Sequence, residues 1–280
     1  MIPKIIHFCW LSGEKYPELV QKCISSWKKT MPDFQIICWT TENFDINSNT
    51  FVREAVACKK WAFASDYIRL YALYHYGGIY IDSDVFVFKS FEPFLANRAF
   101  SSVEYCISSN CYTCNIEAAI LGSEKGHPWI KDCLEHYVNR KFILDNGTYN
   151  QVIIPEIVAD ITERKYGFIR EPKMQFLKSG ICIYPPHVLA HAYLEYHTLK
   201  KTYAIHLCAG GWYNKNQSLL NRFCSLLRRF WHHPINTLWM LYWNRYFSNH
   251  IRYLQPIITQ YFIDNKSEIW LLFLIAHSKR

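Results

Sequence analysis

The sequence predicts an α/β protein: a mostly parallel sheet flanked by helices, followed by a basic, aromatic helical appendage. Three observations carry this. Short apolar β-prone runs alternate with segments of helical periodicity through the first ninety residues, the order expected of a parallel sheet with right-handed crossovers. The stretch Lys60–Lys89, KWAFASDYIRLYALYHYGGIYIDSDVFVFK, reads as a helix, a glycine stop and a buried strand that ends on two aspartates. Charge is also unevenly placed: residues 215–280 hold nine Lys/Arg against two acidic residues, which accounts for most of the net charge of +8. A near-neutral body therefore carries a basic tail.

Taken in order, Ile5-Ile6-His7-Phe8-Cys9-Trp10 forms a first strand, broken by Ser12-Gly13. Leu19, Val20, Cys23, Ile24 and Trp27 line one face of a helix over Pro17–Lys29, opened by its proline. Pro32-Asp33 turns the chain into a second strand, Phe34–Trp39, and Thr40–Thr50 reads as a polar loop. From Trp61 to Tyr76, Phe63, Tyr67, Leu70, Tyr71 and Tyr74 recur at three- and four-residue steps, a helix that Gly77-Gly78 caps in a left-handed conformation. Ile79-Tyr80-Ile81 is then a strand buried on both faces.

Residues two apart on a strand point the same way, so Asp82 and Asp84 should present both carboxylates to one side. Aspartates are common in turns. These two, however, interrupt an apolar run that resumes at Val85-Phe86-Val87-Phe88, where carboxylates are costly without a partner. Two such groups repel unless a proton or cation lies between them, and hard divalent ions with oxygen ligands serve that purpose. Ligands of parallel sheets bind beyond the carboxyl ends of the strands. Trp10, Asp82 and Asp84 can therefore converge on one crevice. Asp66 and Arg69, spaced i,i+3, are neighbours on the helix and read by themselves as a surface ion pair.

The middle of the chain shows a Gly126-His127-Pro128 turn, a helical pattern over Trp129–Val138, a short helix over Pro155–Ile161 and a turn at Pro185-Pro186-His187. With 280 residues and 50% apolar content the chain can bury a full core. Eleven scattered cysteines, an odd number, fit reduced thiols in a cytoplasm, and Cys111-x-x-Cys114 has no second pair to make a zinc site. No secretory signal and no apolar run long enough to span a bilayer is visible, the run Ile269–Ala276 being too short. In the tail, Arg222, Arg228, Arg229 and Arg245 lie among Phe223, Phe230, Trp231, Trp239, Tyr242, Trp243 and Tyr246. That mixture describes helices lying in a bilayer interface, with anionic headgroups contributing about 1 kcal/mol per nearby cation. No nucleic-acid module is recognisable.

Three ordered motifs, IPKIIHFCW, WAFASDYIRLYALYHYGGIYIDSD and YAIHLCAGGW, resemble glycosyltransferase family 32, sugar transferases with a DXD motif that include capsule and surface-polysaccharide enzymes. The resemblance covers about residues 1–214 and divides the chain into a catalytic domain, 1–214, and a tail, 215–280. It implies a GT-A fold, a nucleotide-sugar donor such as a UDP-sugar, Mn²⁺ or Mg²⁺, and transfer with retention. By the same resemblance Trp10, otherwise a core aromatic, stacks on the nucleotide base. Asp66 and Arg69 hold sugar hydroxyls and the donor's charged part, and Tyr80 lines the pocket. Asp82 faces the sugar or a metal-bound water, and Asp84 ligates the metal. His206, otherwise a satisfied histidine at a strand end, becomes a third ligand. Gly211 leaves room for a diphosphate and Trp212 closes over it. Asp66, Asn150 or Gln151 would touch the sugar's other face. The acceptor would be a surface polysaccharide or lipid-linked glycan at the inner face of the cell membrane.

Two other functions compete. Ile79–Asp84 also resembles the nucleophile strand of haloacid-dehalogenase-type phosphatases. Those place it first in the domain and follow it with a lysine and an acidic pair, whereas here it comes third and no such pair follows. The other is a non-catalytic, membrane-bound sugar-binding scaffold.

Overall fold

The computed structural model describes residues 1–104, 114–189 and 201–207. Their elements run β1 (Ile5–Cys9), α1 (Glu18–Thr30), β2 (Gln35–Trp39), α2 (Thr50–Ala57), α3 (Trp61–Tyr76), β3 (Gly78–Ile81), β4 (Val85–Val87), β5 (Ala99–Ser102), β6 (Ile120–Ser123), α4 (Pro128–Glu135), α5 (Ile154–Tyr166), β7 (Gln175–Leu177), β8 (Ile181–Tyr184) and β9 (Ala204–His206).

Seven strands form the central sheet in the order β2-β1-β3-β6-β5-β8-β7, and β4 pairs with β9 in a small second sheet. The pairings β2-β1, β1-β3 and β5-β8 are parallel, so five strands share one direction while β6 and β7 oppose them. The sheet is mixed but mostly parallel, as expected. Successive residues of β3 divide between two cores. Ile79 and Ile81 pack with Ile6, Phe8, Cys23, Trp27 and Phe100 on the α1 side. Tyr80 joins Trp39, Phe51, Ile68, Leu70 and Leu121 on the side of α2 and α3. This is a sheet covered on both faces, the arrangement that makes its strands continuously apolar.

Most predicted elements lie within one or two residues of their expected bounds, and α3 matches at both ends. Three differ. The Thr40–Thr50 loop contains a 3₁₀ turn at Ile46–Ser48, and the unexpected α2 follows, opened by Asn49, whose side chain accepts from Val52 N–H. The second helix of the middle region extends to Tyr166, where Gly167 stops it in the left-handed conformation. Asp82 and Asp84 do not alternate along one strand. They flank a turn in which Val85 N–H donates to Asp82 C=O at 3.0 Å, and β4 then leaves the central sheet. The 1–214/215–280 boundary, the basic tail, Gly211 and Trp212 lie outside the described residues.

Candidate functional site

The site begins where α3 stops. Gly77 (φ 69°) and Gly78 (φ 109°) occupy backbone conformations that disfavour a side chain, and a Cβ at Gly78 would meet the Ile5 carbonyl oxygen at 2.6 Å. The left-handed sign of φ is as expected, although Gly77 has ψ −175° rather than that of a helical cap. This close passage lets β3 lie parallel to β1, with His7 opposite Tyr80. The buried His7 ring bridges the two segments: its Nε2 lies 2.8 Å from Gly77 C=O, and its Nδ1 accepts from the Trp39 indole. Burial pushes the His7 pKa down, in keeping with a neutral ring.

The chain then turns through Asp82-Ser83-Asp84 and returns as β4, which Trp27 and Ser26 of α1 hold by hydrogen bonds to Val85 C=O (2.8 Å) and Val87 N–H (3.0 Å). β9 pairs antiparallel with β4, placing His206 opposite Val85, and Leu207 N–H donates to Asp84 C=O at 3.0 Å. His206 Nε2 consequently lies 3.3 Å from Asp84 Oδ1. One donor atom from each of Asp82, Asp84 and His206 falls within 4.8 Å of the others. Two carboxylate oxygens and an imidazole nitrogen this close make a ligand set suited to a divalent cation such as Mn²⁺. The side chains are 24%, 16% and 20% exposed, so the cluster is partly open to solvent.

Beneath it lies a buried polar support. Asp66 and Arg69, which resemble a surface ion pair in sequence, are 6% and 4% exposed. Arg69 donates to Asp66 Oδ1 (2.8 Å), Ala118 C=O (2.7 Å) and Ser65 Oγ (3.3 Å), reaches within 3.5 Å of Asp82 Oδ1, and lies over the Tyr80 ring at 4.6 Å. The Tyr80 hydroxyl donates to the same Asp82 oxygen at 3.0 Å. Arg69 and Tyr80 together orient Asp82. Burial drives Asp66 up to about 7 against the opposing charge of Arg69. The Arg69 pKa is raised despite burial, with Asp82's negative charge the largest of the raising influences.

Trp10 follows β1 at the end of the sheet where Asp82 follows β3. Its indole donates to Glu14 C=O (2.7 Å) and packs edge-on against Tyr16 at 5.1 Å. Asn150 is occupied within its own loop by Arg140 and Phe142. Sequence reasoning missed Glu117. Its side chain is 9% exposed, and its Oε1 accepts from Ala119 N–H at 2.8 Å and lies 3.8 Å from His206 Nδ1. Burial raises its pKa. The neighbouring Glu104 is pushed up to about 7 by burial and by the Glu117 charge. The signal available was an acid inside the apolar run Ile116–Leu121.

Fold and site define an α/β protein with an acidic turn and a late histidine converging at the carboxyl edge of its sheet. The family described as capsular polysaccharide synthesis protein matches residues 1–161, and the chain belongs to that family. The match takes in two of the three motifs that resemble glycosyltransferase family 32. Among curated relatives, Inositol phosphoceramide mannosyltransferase 3 of Schizosaccharomyces pombe is 30% identical over 146 residues, 46% of this chain and 35% of that protein. Mannosyl phosphorylinositol ceramide synthase CSH1 of Saccharomyces cerevisiae is 31% identical over 157 residues, 51% of this chain and 38% of that protein. The chain thus spans little more than a third of the length of these relatives. Among solved structures, PaToxG Glycosyltransferase aligns with TM-score 0.42 at 17% identity, covering 59% of this chain and 70% of that one. Galactosyltransferase LgtC aligns with TM-score 0.40 at 15% identity, covering 79% and 94%.

Proposed function

We propose that this chain is a retaining, metal-dependent glycosyltransferase that moves a hexose from a nucleotide sugar to a surface-polysaccharide or lipid-linked acceptor. The observation that carries the reading is the convergence of Asp82, Asp84 and His206 at the carboxyl edge of the sheet, in a chain of the capsular polysaccharide synthesis family. The names of the curated relatives make a mannosyl unit the first sugar to test alongside the UDP-hexoses.

In this reading Asp82, Asp84 and His206 hold Mn²⁺ or Mg²⁺, which when bound offsets the charge of the leaving diphosphate. Arg69 and Tyr80 fix Asp82 from beneath, so the carboxylate does not have to reorganise when the donor arrives. Trp10 stacks on the base, and the buried Asp66 acts from beneath the cluster through its hydrogen bond with Arg69. Gly211 and Trp212 complete the diphosphate side. Transfer proceeds on the front face with no covalent glycosyl-enzyme, and trapping such an adduct would overturn that step. The basic tail holds the protein against the inner face of the cell membrane, where a lipid-linked acceptor is presented.

A thermal-shift panel of UDP- and GDP-hexoses with and without Mn²⁺ tests the core of the reading. The right donor should raise the melting temperature only with the ion. Asp84→Ala should abolish that ion-dependent rise. A phosphatase would instead act on phosphomonoesters without a sugar nucleotide. A scaffold would bind a sugar yet never release nucleotide from its donor.

A further inference from the structure

The segment Glu117-Ala118-Ala119 touches Asp82, its support Arg69 and His206. Ala119 C=O accepts from Asp82 N–H at 2.9 Å, fixing the start of the acidic turn. Ala118 C=O accepts from Arg69, which in turn faces Asp82. Glu117 Oε1 faces His206. Asp82, its cationic support and the histidine are thus all registered against three consecutive residues.

The His206 ring lies between two carboxylates, with Nε2 toward Asp84 at 3.3 Å and Nδ1 toward Glu117 at 3.8 Å. Only one of them, Asp84, belongs to the cluster of potential ligands. A neutral imidazole carries one N–H and one lone pair, and the partner of one nitrogen decides which role the other plays. Burying the Glu117 carboxylate beside Glu104 is unfavourable, and the Ala119 N–H compensates for only part of that. His206 Nδ1, 3.8 Å from the same oxygen, is the group placed to become a second partner once that separation closes to hydrogen-bond distance.

We propose that Glu117 is the positioning residue for His206: its carboxylate takes the Nδ1–H and so turns the Nε2 lone pair toward the pocket between Asp82 and Asp84. The proposal rests on the reading that this pocket binds a divalent cation. Carboxylate partners of this kind hold ligating histidines in one tautomer and raise their basicity, and losing one weakens the metal roughly 10–100-fold.

Calorimetric titration of the full chain with Mn²⁺ tests it, using wild type, Glu117→Gln, His206→Ala and the double variant. Glu117→Gln should weaken Mn²⁺ binding by about 10–100-fold. In the His206→Ala background it should cause no further loss, because it acts through that ring. Unchanged affinity in Glu117→Gln, or a full extra loss in the double variant, overturns the positioning role and leaves the cation reading intact. A wild-type protein that binds no Mn²⁺ overturns both. A second measurement needs no substitution at Glu117. With diamagnetic Cd²⁺ in place of Mn²⁺, nitrogen-15 NMR of His206 should show the Nδ1–H tautomer, and the Nε2–H tautomer would overturn the proposal.

Discussion

Arg69 is the residue on which the candidate site's electrostatics turn, because it is the one cation among the described residues placed against both Asp66 and Asp82. Removing one member of a buried pair leaves an uncompensated charge, at a cost of about 3–5 kcal/mol. Arg69→Met should therefore lower unfolding free energy by about that amount, read from urea denaturation, and should also weaken Mn²⁺ binding as Asp82 loses its fixed orientation. The pair's depth was illegible in the sequence. An i,i+3 Asp/Arg couple looks the same on a wet helix face as under a sheet, and only the passage of β3 and β6 over α3 decides between them. His136 offers a test of a different sign. Its Nε2 is buried with no hydrogen-bond partner among the described residues, and burial lowers its pKa from 6.5 to about 4. The unfolded chain then takes up the proton first, so stability falls as pH drops from about 6.5 toward 4. His136→Leu should remove that loss, on the order of 1 kcal/mol after discounting for the ring's partial exposure to solvent, as the difference between urea midpoints at pH 5 and pH 7.5.

The unit α3–Gly-Gly–β3 is the most legible part of the chain because two independent signals agree on it. Periodicity places the helix, and paired glycines mark a backbone conformation other residues avoid. The structure adds the reason for the second glycine: a side chain there would strike the Ile5 carbonyl and separate β3 from β1. Gly78→Ala should accordingly lower the melting temperature, by about 2–4 °C for each kcal/mol of strain, and reduce Mn²⁺ affinity in step as the acidic turn shifts. The period-two reading of Asp82 and Asp84 failed for an instructive reason. It assumed that β-prone residues on both sides of the aspartates belong to one strand. In fact Val85–Val87 pairs with β9 in a separate sheet, so the carboxylates converge through a turn. Helix α2 escaped notice because it is short and follows a polar loop, although Asn49 ahead of Phe51, Val52 and Ala55 is a recognisable opening.

On the scale of the whole molecule, the mostly parallel sheet was legible from the alternation of runs. The two opposing strands were not, since β6 and β7 are too short to announce their direction. Among the described residues no helix is long and apolar enough to cross a membrane. The membrane proposal therefore rests on the tail's charge and aromatics. The full chain should sediment with vesicles containing anionic lipid and do so less as salt rises, whereas a chain lacking residues 219–280 should stay in the supernatant. The order of the elements has one more consequence. Asp82 and Asp84 precede β5 through β8 in the chain, whereas His206 follows them. A polypeptide emerging from the ribosome carries the acidic turn long before its imidazole. In the proposed reading, tight capture of an ion would therefore report that nearly all of the sheet has been synthesised and docked.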